Sequence, residues 1–287
     1  MPPGAASRGT LGGMWFRSRL AALGLLGLVG GCSLALDFDA TSSQPATVGA
    51  AFCAKHTQPP MVFCDDFDGD ALGVKWPMVE EVGGGTARTD AAASVSAPNS
   101  LLSSVTALAA GTPRVRGVGV VPFTKLKDAA VGLRISFSMR VDAFDATNGA
   151  KNIAFDFLYG PTSDFNQIVL NLVSTGTAVS LQIAENAQKV GEVASQYQPY
   201  GPFTIKPTIG QWMKVEIDID INQPKGLENN SLRLRLDGQS ALDTKLSLAL
   251  KGDTPRLELG VGWVDTATAT QPWAVRYDDF LVEAISL

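Results

Sequence analysis

Hydrophobic and polar residues alternate along most of this chain. Leu133, Ile135, Phe137, Met139 and Val141 are separated by Arg134, Ser136, Ser138 and Arg140, the period of two that gives a strand one buried and one wet face. The same alternation runs through Ile153 to Tyr159, Ile168 to Leu172, Val179 to Ile183, Met213 to Ile221 and Leu232 to Leu236. Shorter strands are expected at Trp76 to Val82, Leu101 to Val105, Arg114 to Phe123, Arg256 to Val264 and Ala274 to Ala284. Turn pairs such as Asn148-Gly149 and Asp237-Gly238 separate them. No segment carries a convincing amphipathic-helix pattern. About a dozen strands without helices predict an all-β domain of two packed antiparallel sheets.

The first 50 residues break this pattern. Arg17 and Arg19 precede the apolar run Leu20 to Val29, followed by Gly30, Gly31 and Cys32. Charged, apolar and small-residue segments in that order read as an export signal. The run is about half the roughly 20 apolar residues that a membrane span needs. Val29-Gly30-Gly31-Cys32 resembles the lipobox of bacterial lipoproteins, which implies acylation of Cys32 and an envelope location, with Ser33 pointing to the outer membrane. Met14, just before Trp15, is an alternative start to Met1. Residues 32–50, rich in Thr, Ser, Pro, Ala and Gly towards their end, read as a tether. The expected organisation is a signal over 1–31, a tether over 32–50 and one β-sandwich domain over 51–287.

Composition narrows the chemistry. The chain has 287 residues with a net charge of -5. Removing the leader takes Arg8, Arg17 and Arg19 from 23 basic residues and no acid from 28, leaving 20 against 28. A domain this acidic is a poor partner for nucleic acid. Its single histidine, His56, leaves little room for imidazole-based metal or acid–base sites. Besides Cys32 there are two cysteines, Cys53 and Cys64. In an exported protein this even pair reads as a disulfide that pins the tether's end to the first strand.

Three groups of residues carry a family resemblance. Phe63-Cys64-Asp65-Asp66-Phe67-Asp68-Gly69 with Trp76 and then Ser96 to Leu101 looks like the opening of concanavalin A-like lectin/glucanase domains. Trp212-Met213-Lys214-Val215 leading to Leu232 to Leu236 and Asp237-Gly238 is similar to laminin-G-like members, and Tyr277-Asp278-Asp279-Phe280 resembles their closing strand. The resemblance implies a jelly-roll sandwich and, in many relatives, carbohydrate binding or cleavage. Glycosidases of that superfamily set a nucleophile and an acid on one strand. Here the corresponding segment, Asn152 to Gly160, keeps only Asp156. Glu216, Asp218 and Asp220 imitate the motif one strand too late. They are expected to pair across a hairpin, with Asp218 opposite Arg235 and Asp220 opposite Arg233.

The chain therefore reads as a lipid-anchored, non-catalytic binder of polysaccharide or glycoconjugate. A structural or adhesive envelope protein that binds other proteins is the alternative, and a divergent glycoside hydrolase the third reading. Sugar contacts are expected from Tyr197, Tyr200 and Trp273, with Asn152 and Asp156 on a wet strand face beside Gln167 and Asn171. Asp66, Asp68, Asp278 and Asp279 are the oxygen donors for a structural calcium ion, if the first and last strands pair.

Overall fold

The structure, a computed structural model, describes residues 52–69, 71–112, 116–122, 132–159, 165–188, 196–220, 230–247, 255–262, 264 and 269–285. The expected signal, Cys32 and the expected tether lie outside the described residues.

Two antiparallel sheets form a β-sandwich. The first runs β13 (Gln239–Lys245), β12 (Ser231–Leu236), β11 (Trp212–Asp220), β6 (Gly132–Ala143), β15 (Trp273–Ile285), β4 (Ser100–Val105) and β3 (Gly85–Asp90), with β1 (Met61–Asp65) also paired to β15. The second runs β10 (Gln196–Tyr200), β9 (Val179–Gln188), β8 (Phe165–Ser174), β7 (Lys151–Tyr159), β14 (Pro255–Gly262), β5 (Arg116–Pro122) and β2 (Met78–Val82). Each sheet combines runs of sequential strands, β13-β12-β11 and β10-β9-β8-β7, with neighbours distant in sequence such as β6-β15 and β7-β14, as in a jelly roll. Among the described residues a 3-10 turn at Phe52–Lys55 precedes β1, and a short α-helix, α1 (Leu72–Lys75), lies between β1 and β2.

The alternation read from the sequence is the core. Leu133, Ile135 and Phe137 from β6, Phe155 and Phe157 from β7, and Val215, Ile217 and Ile219 from β11 are at most 1 % exposed. Removing such a side chain from water contributes about 1.5–3 kcal/mol. Trp76 fills one end, edge-on to Phe63 and Phe280, with its indole N–H donating to Asp65 Oδ2 at 2.7 Å.

Polar groups also cross between the sheets. The Tyr277 hydroxyl of β15 donates to the Ala154 carbonyl of β7 at 2.8 Å. Ser103 of β4 donates through Oγ to the Gly117 carbonyl of β5 and accepts Val261 N–H of β14 at 2.6 Å. The sheets approach so closely here that a Cβ on Gly117 would lie 2.3 Å from the Thr86 carbonyl oxygen. Only glycine allows that contact.

The first strand expected at Cys64 is β1, and it pairs with the last strand, β15. Strands β3, β10 and β13 go beyond the expected set, and for β3 and β10 the reason is local. Gln196-Tyr197-Gln198-Pro199-Tyr200 has no apolar alternation and contains a proline, which a strand tolerates at a sheet edge. Strand β3, Gly-Thr-Ala-Arg-Thr-Asp, is also an edge strand with little apolar content. The expected hairpin register is corrected as well. Asp218 faces Arg233 and Glu216 faces Arg235, two residues from the expected pairing. A two-residue shift leaves every inward and outward assignment intact, so hydrophobic pattern alone does not reveal it.

Candidate functional site

The outer face of the second sheet is built from the residues that alternate with its core positions. On β8, Ile168, Leu170 and Leu172 point inward, which sends Gln167, Val169 and Asn171 outward. Their cross-strand partners on β9 are Asn186, Ala184 and Gln182 in the same order. Strand β10 adds Tyr197 opposite Asn186 and Pro199 opposite Ala184. On the other flank, β7 supplies Asp156, which faces Glu258 of β14.

Two paired bulges set what β7 displays. The register shifts between Ile153 and Phe155 against β8 and between Leu259 and Gly262 against β14. Gly260, with φ of 133°, absorbs the second. Bulges re-aim side chains next to sites. Here Lys151 and Ile153 share the face with Asp156, whereas Asn152 is turned to the interior, where its Oδ1 accepts Gly262 N–H at 3.1 Å. Sequence parity placed Asn152 and Asp156 together; the bulge separates them.

A hydrogen-bonded amide array covers the face. Asn186 Nδ2 donates to Gln167 Oε1 at 2.6 Å, and Gln167 Nε2 donates to Asp156 Oδ2 at 2.7 Å. The Tyr197 hydroxyl donates to Gln182 Oε1 at 3.0 Å and accepts Asn171 Nδ2 at 3.5 Å. Lys151 Nζ lies 6.0 Å from the Tyr197 ring centroid. Burial raises the Tyr197 pKa, so its resting form is the neutral phenol. Tyr197 is exposed, whereas Asn171, Gln167, Asp156 and Glu258 are buried, so the array runs from solvent into the protein.

Apart from Lys151 beside Tyr197, the charged groups named on this face lie at its deep end. Glu258 takes Arg116 Nη2 and Arg256 Nη2, the latter at 3.1 Å, and Arg116 Nη1 reaches Glu80 Oε2 at 3.2 Å. Asp156 is pushed well above the usual carboxylate range, first by burial and then by Glu258. Gln182, Asn186, Glu258 and the two arginines were not singled out in the sequence. Gln182 and Asn186 were findable, because they alternate with Leu181, Ile183 and their neighbours on β9. The role of Arg116 was not, because its partners are distant in the chain.

The other expected site residues lie elsewhere. Trp273 is 0 % exposed, tilted against Phe144 in the core, so no ligand reaches it. Tyr200 turns inward, its hydroxyl bonded to Glu185, and burial first, then that bond, lifts its pKa to about 12. Cys53 and Cys64 form the expected disulfide. Asp66 accepts Cys53 N–H, Asp68 accepts Asn99 N–H, Asp278 accepts Val95 and Ser96 N–H, and Asp279 accepts the Ser96 hydroxyl. Each of the four thus has at least one carboxylate oxygen engaged by a protein donor. Among the described residues no group of three or more His, Cys, Asp or Glu is placed to hold a metal.

Glu216 and Asp218 stand on the outer face of the first sheet. Asp218 takes Arg134 through Nε at 2.8 Å and Nη2 at 3.1 Å, and Arg235 reaches both acids. These carboxylates are bound in an arginine network.

No family model and no curated protein matches this sequence. The fold is similar to that of solved structures. An endo-β-1,4-glucuronan lyase from the fungus Trichoderma reesei superposes with a TM-score of 0.62 at 13% identity, covering 78% of this chain and 96% of the other. An alginate lyase in complex with an alginate trisaccharide gives 0.53 at 11% identity, covering 79% and 99%. The expectation of a non-catalytic binder is corrected by these enzymes. It rested on the missing pair of glycosidase carboxylates, and the sandwich is shared with enzymes that break polysaccharides as lyases. Elimination next to a carboxylate has no need of that pair, so its absence does not argue against catalysis.

Proposed function

We propose that this chain is a polysaccharide lyase that cleaves a uronate-containing polymer by β-elimination on the outer face of the second sheet. The observation that carries the reading is the Tyr197 hydroxyl held among the amides of Gln182 and Asn171. The fold shared with glucuronan and alginate lyases supports the substrate class.

Elimination makes three demands: neutralisation of the uronate carboxylate, removal of the proton at C5, and a proton for the departing O4. Amide N–H groups of the Gln167–Asn171–Asn186 array stabilise the charge that grows on the carboxylate as the C5 proton leaves. Tyr197 transfers the proton. As tyrosinate it takes the C5 proton, the C–H electron pair becomes the C4=C5 double bond, the C4–O4 bond breaks, and the phenol returns the proton to O4. The neutral resting form makes ionisation the costly step. The Lys151 ammonium is the nearby charge that offsets it.

Incubation of the purified chain with glucuronan and with alginate tests this. The expected result is an ultraviolet-absorbing unsaturated uronate end and a fall in viscosity. Cleavage that gives only saturated reducing ends, or no cleavage of any uronate polymer, overturns it.

A concanavalin A-like classification and lipid anchoring through Cys32 at the outer membrane belong to the same proposal. The lipobox-like Val29 to Cys32 supports the anchor. Radiolabelled palmitate should enter the full chain and be lost in Cys32→Ser; equal labelling of both would remove the anchor.

A further inference from the structure

Asp156 of β7 stands directly opposite Glu258 of β14, and the two are 2 % and 4 % exposed. Like charges in such a cross-strand pair repel. Among the described residues the guanidiniums of this face, Arg116 and Arg256, are both ion-paired to Glu258, and Arg116 also to Glu80. Among the described residues no basic side chain forms an ion pair with Asp156; its Oδ2 accepts the Gln167 amide, and its Oδ1 is buried without a partner. Gln167 is fixed at both ends, since its Oε1 accepts Asn186, whose own Oδ1 is likewise buried and unpartnered.

We propose that Asp156 works as an uncharged carboxylic acid, a positioning residue that orients the Gln167–Asn186 amide pair to receive the carboxylate of a uronate unit. This rests on the lyase reading and names what selects the substrate's charge. The groups facing Asp156 are Glu258 and Arg256 from β14 and Arg116 from β5, which also holds Glu80 of β2; β8 and β9 contribute neutral amides. With the arginines held by Glu258, an ionised Asp156 would set an unbalanced negative charge beside the incoming carboxylate. An uncharged one leaves the amide donors free of it. Burial and then Glu258 favour the protonated form and outweigh the Gln167 hydrogen bond and the Arg256 and Arg116 charges, which favour the ionised one.

Steady-state kinetics on glucuronan and alginate across pH, with thermal melting of each variant, test the assignment. Asp156→Asn keeps an uncharged acceptor for Gln167, so its KM should stay within about threefold of the parent at low pH. The parent's KM should rise as pH climbs through the Asp156 titration, and that rise should vanish in Asp156→Asn. Asp156→Leu, which frees Gln167, should raise KM roughly tenfold, the scale of one lost hydrogen-bonded contact. A KM in Asp156→Asn as high as in Asp156→Leu, or an unchanged pH slope, overturns the proposal while product formation keeps the lyase reading. If the parent makes no unsaturated product from any uronate polymer, the lyase reading fails and takes this role with it.

Discussion

The Tyr197 hydroxyl donates to Gln182 Oε1 at 3.0 Å, joining the edge strand β10 to β9 at the exposed end of the amide array. This bond fixes the phenol of a side chain that is otherwise exposed. If Tyr197 transfers the proton, Tyr197→Phe removes the chemistry and leaves the binding surface. The expected outcome is a fall in kcat of about 10²–10⁴ with KM nearly unchanged and an unaltered melting curve. Because burial raises its pKa, kcat should keep rising with pH beyond the point where an ordinary tyrosine would level off. A plateau at lower pH, or full activity in Tyr197→Phe, would remove Tyr197 from the mechanism.

Glu216 gives the contrasting case. It lies on the other sheet, bound by Arg235 and near Arg134 at 3.6 Å. Glu216→Gln should leave kcat/KM on any uronate polymer unchanged. Its stability cost should be below about 1 kcal/mol, because the arginines concerned are about a third exposed and such pairs are weak. Replacing Arg134 by Met should cost more, about 1–3 kcal/mol, because Asp218 is buried and loses its two-pronged partner. Urea unfolding of the two variants measures the difference.

The core strands were legible because one face of each is buried: Phe137, Phe155 and Val215 recur at the period the pleat demands. The face opposite them was legible in part. Gln167 and Asn171 follow directly from Ile168 and Leu170, but Asn152 does not, because a bulge at Ile153 to Phe155 reverses its side. Tyr197 stood out as an aromatic in a polar loop, whereas its place as an edge strand depends on hydrogen bonds to Glu185 and its neighbours that no local pattern encodes. Arg116 and Glu258 are 142 residues apart, and only the sheet order brings them together.

Asp278 makes stability depend on pH. Burial is the chief cause that raises its pKa to about 7, with Asp279 adding repulsion and the Val95 and Ser96 N–H groups opposing. The unfolded chain gives it up at an ordinary carboxylate pKa of 3.8, so between these values the native state binds more protons. Stability attributable to Asp278 is therefore fully present below pH of about 4 and is lost as pH rises through about 7. Asp68 and Asp279 are shifted the same way. Melting temperature followed from pH 4 to 8 should decline, and Asp278→Asn should flatten the decline. A curve equally steep in the variant would place the titration elsewhere.

The Cys53–Cys64 bond closes a loop with a sequence separation of 11 and joins the segment before β1 to β1 itself. Among the described residues strand β1 pairs only with β15, off the main path of its sheet, so it relies on few neighbours. The anchoring is reinforced by Asp66, which accepts Cys53 N–H at 3.1 Å, and by Asp65, which takes Lys75, Trp76 and the Phe67 N–H. On the chain-entropy account a ring of this size contributes about 3 kcal/mol. Reduction, or the double substitution Cys53→Ser with Cys64→Ser, should lower stability by roughly that amount. Protection against hydrogen exchange should fall first at β1 and at the Trp76 end of the core, while the Tyr197 face on the other sheet keeps its protection and its activity. Equal loss across both sheets would mean that the disulfide supports the whole sandwich and not one strand of it.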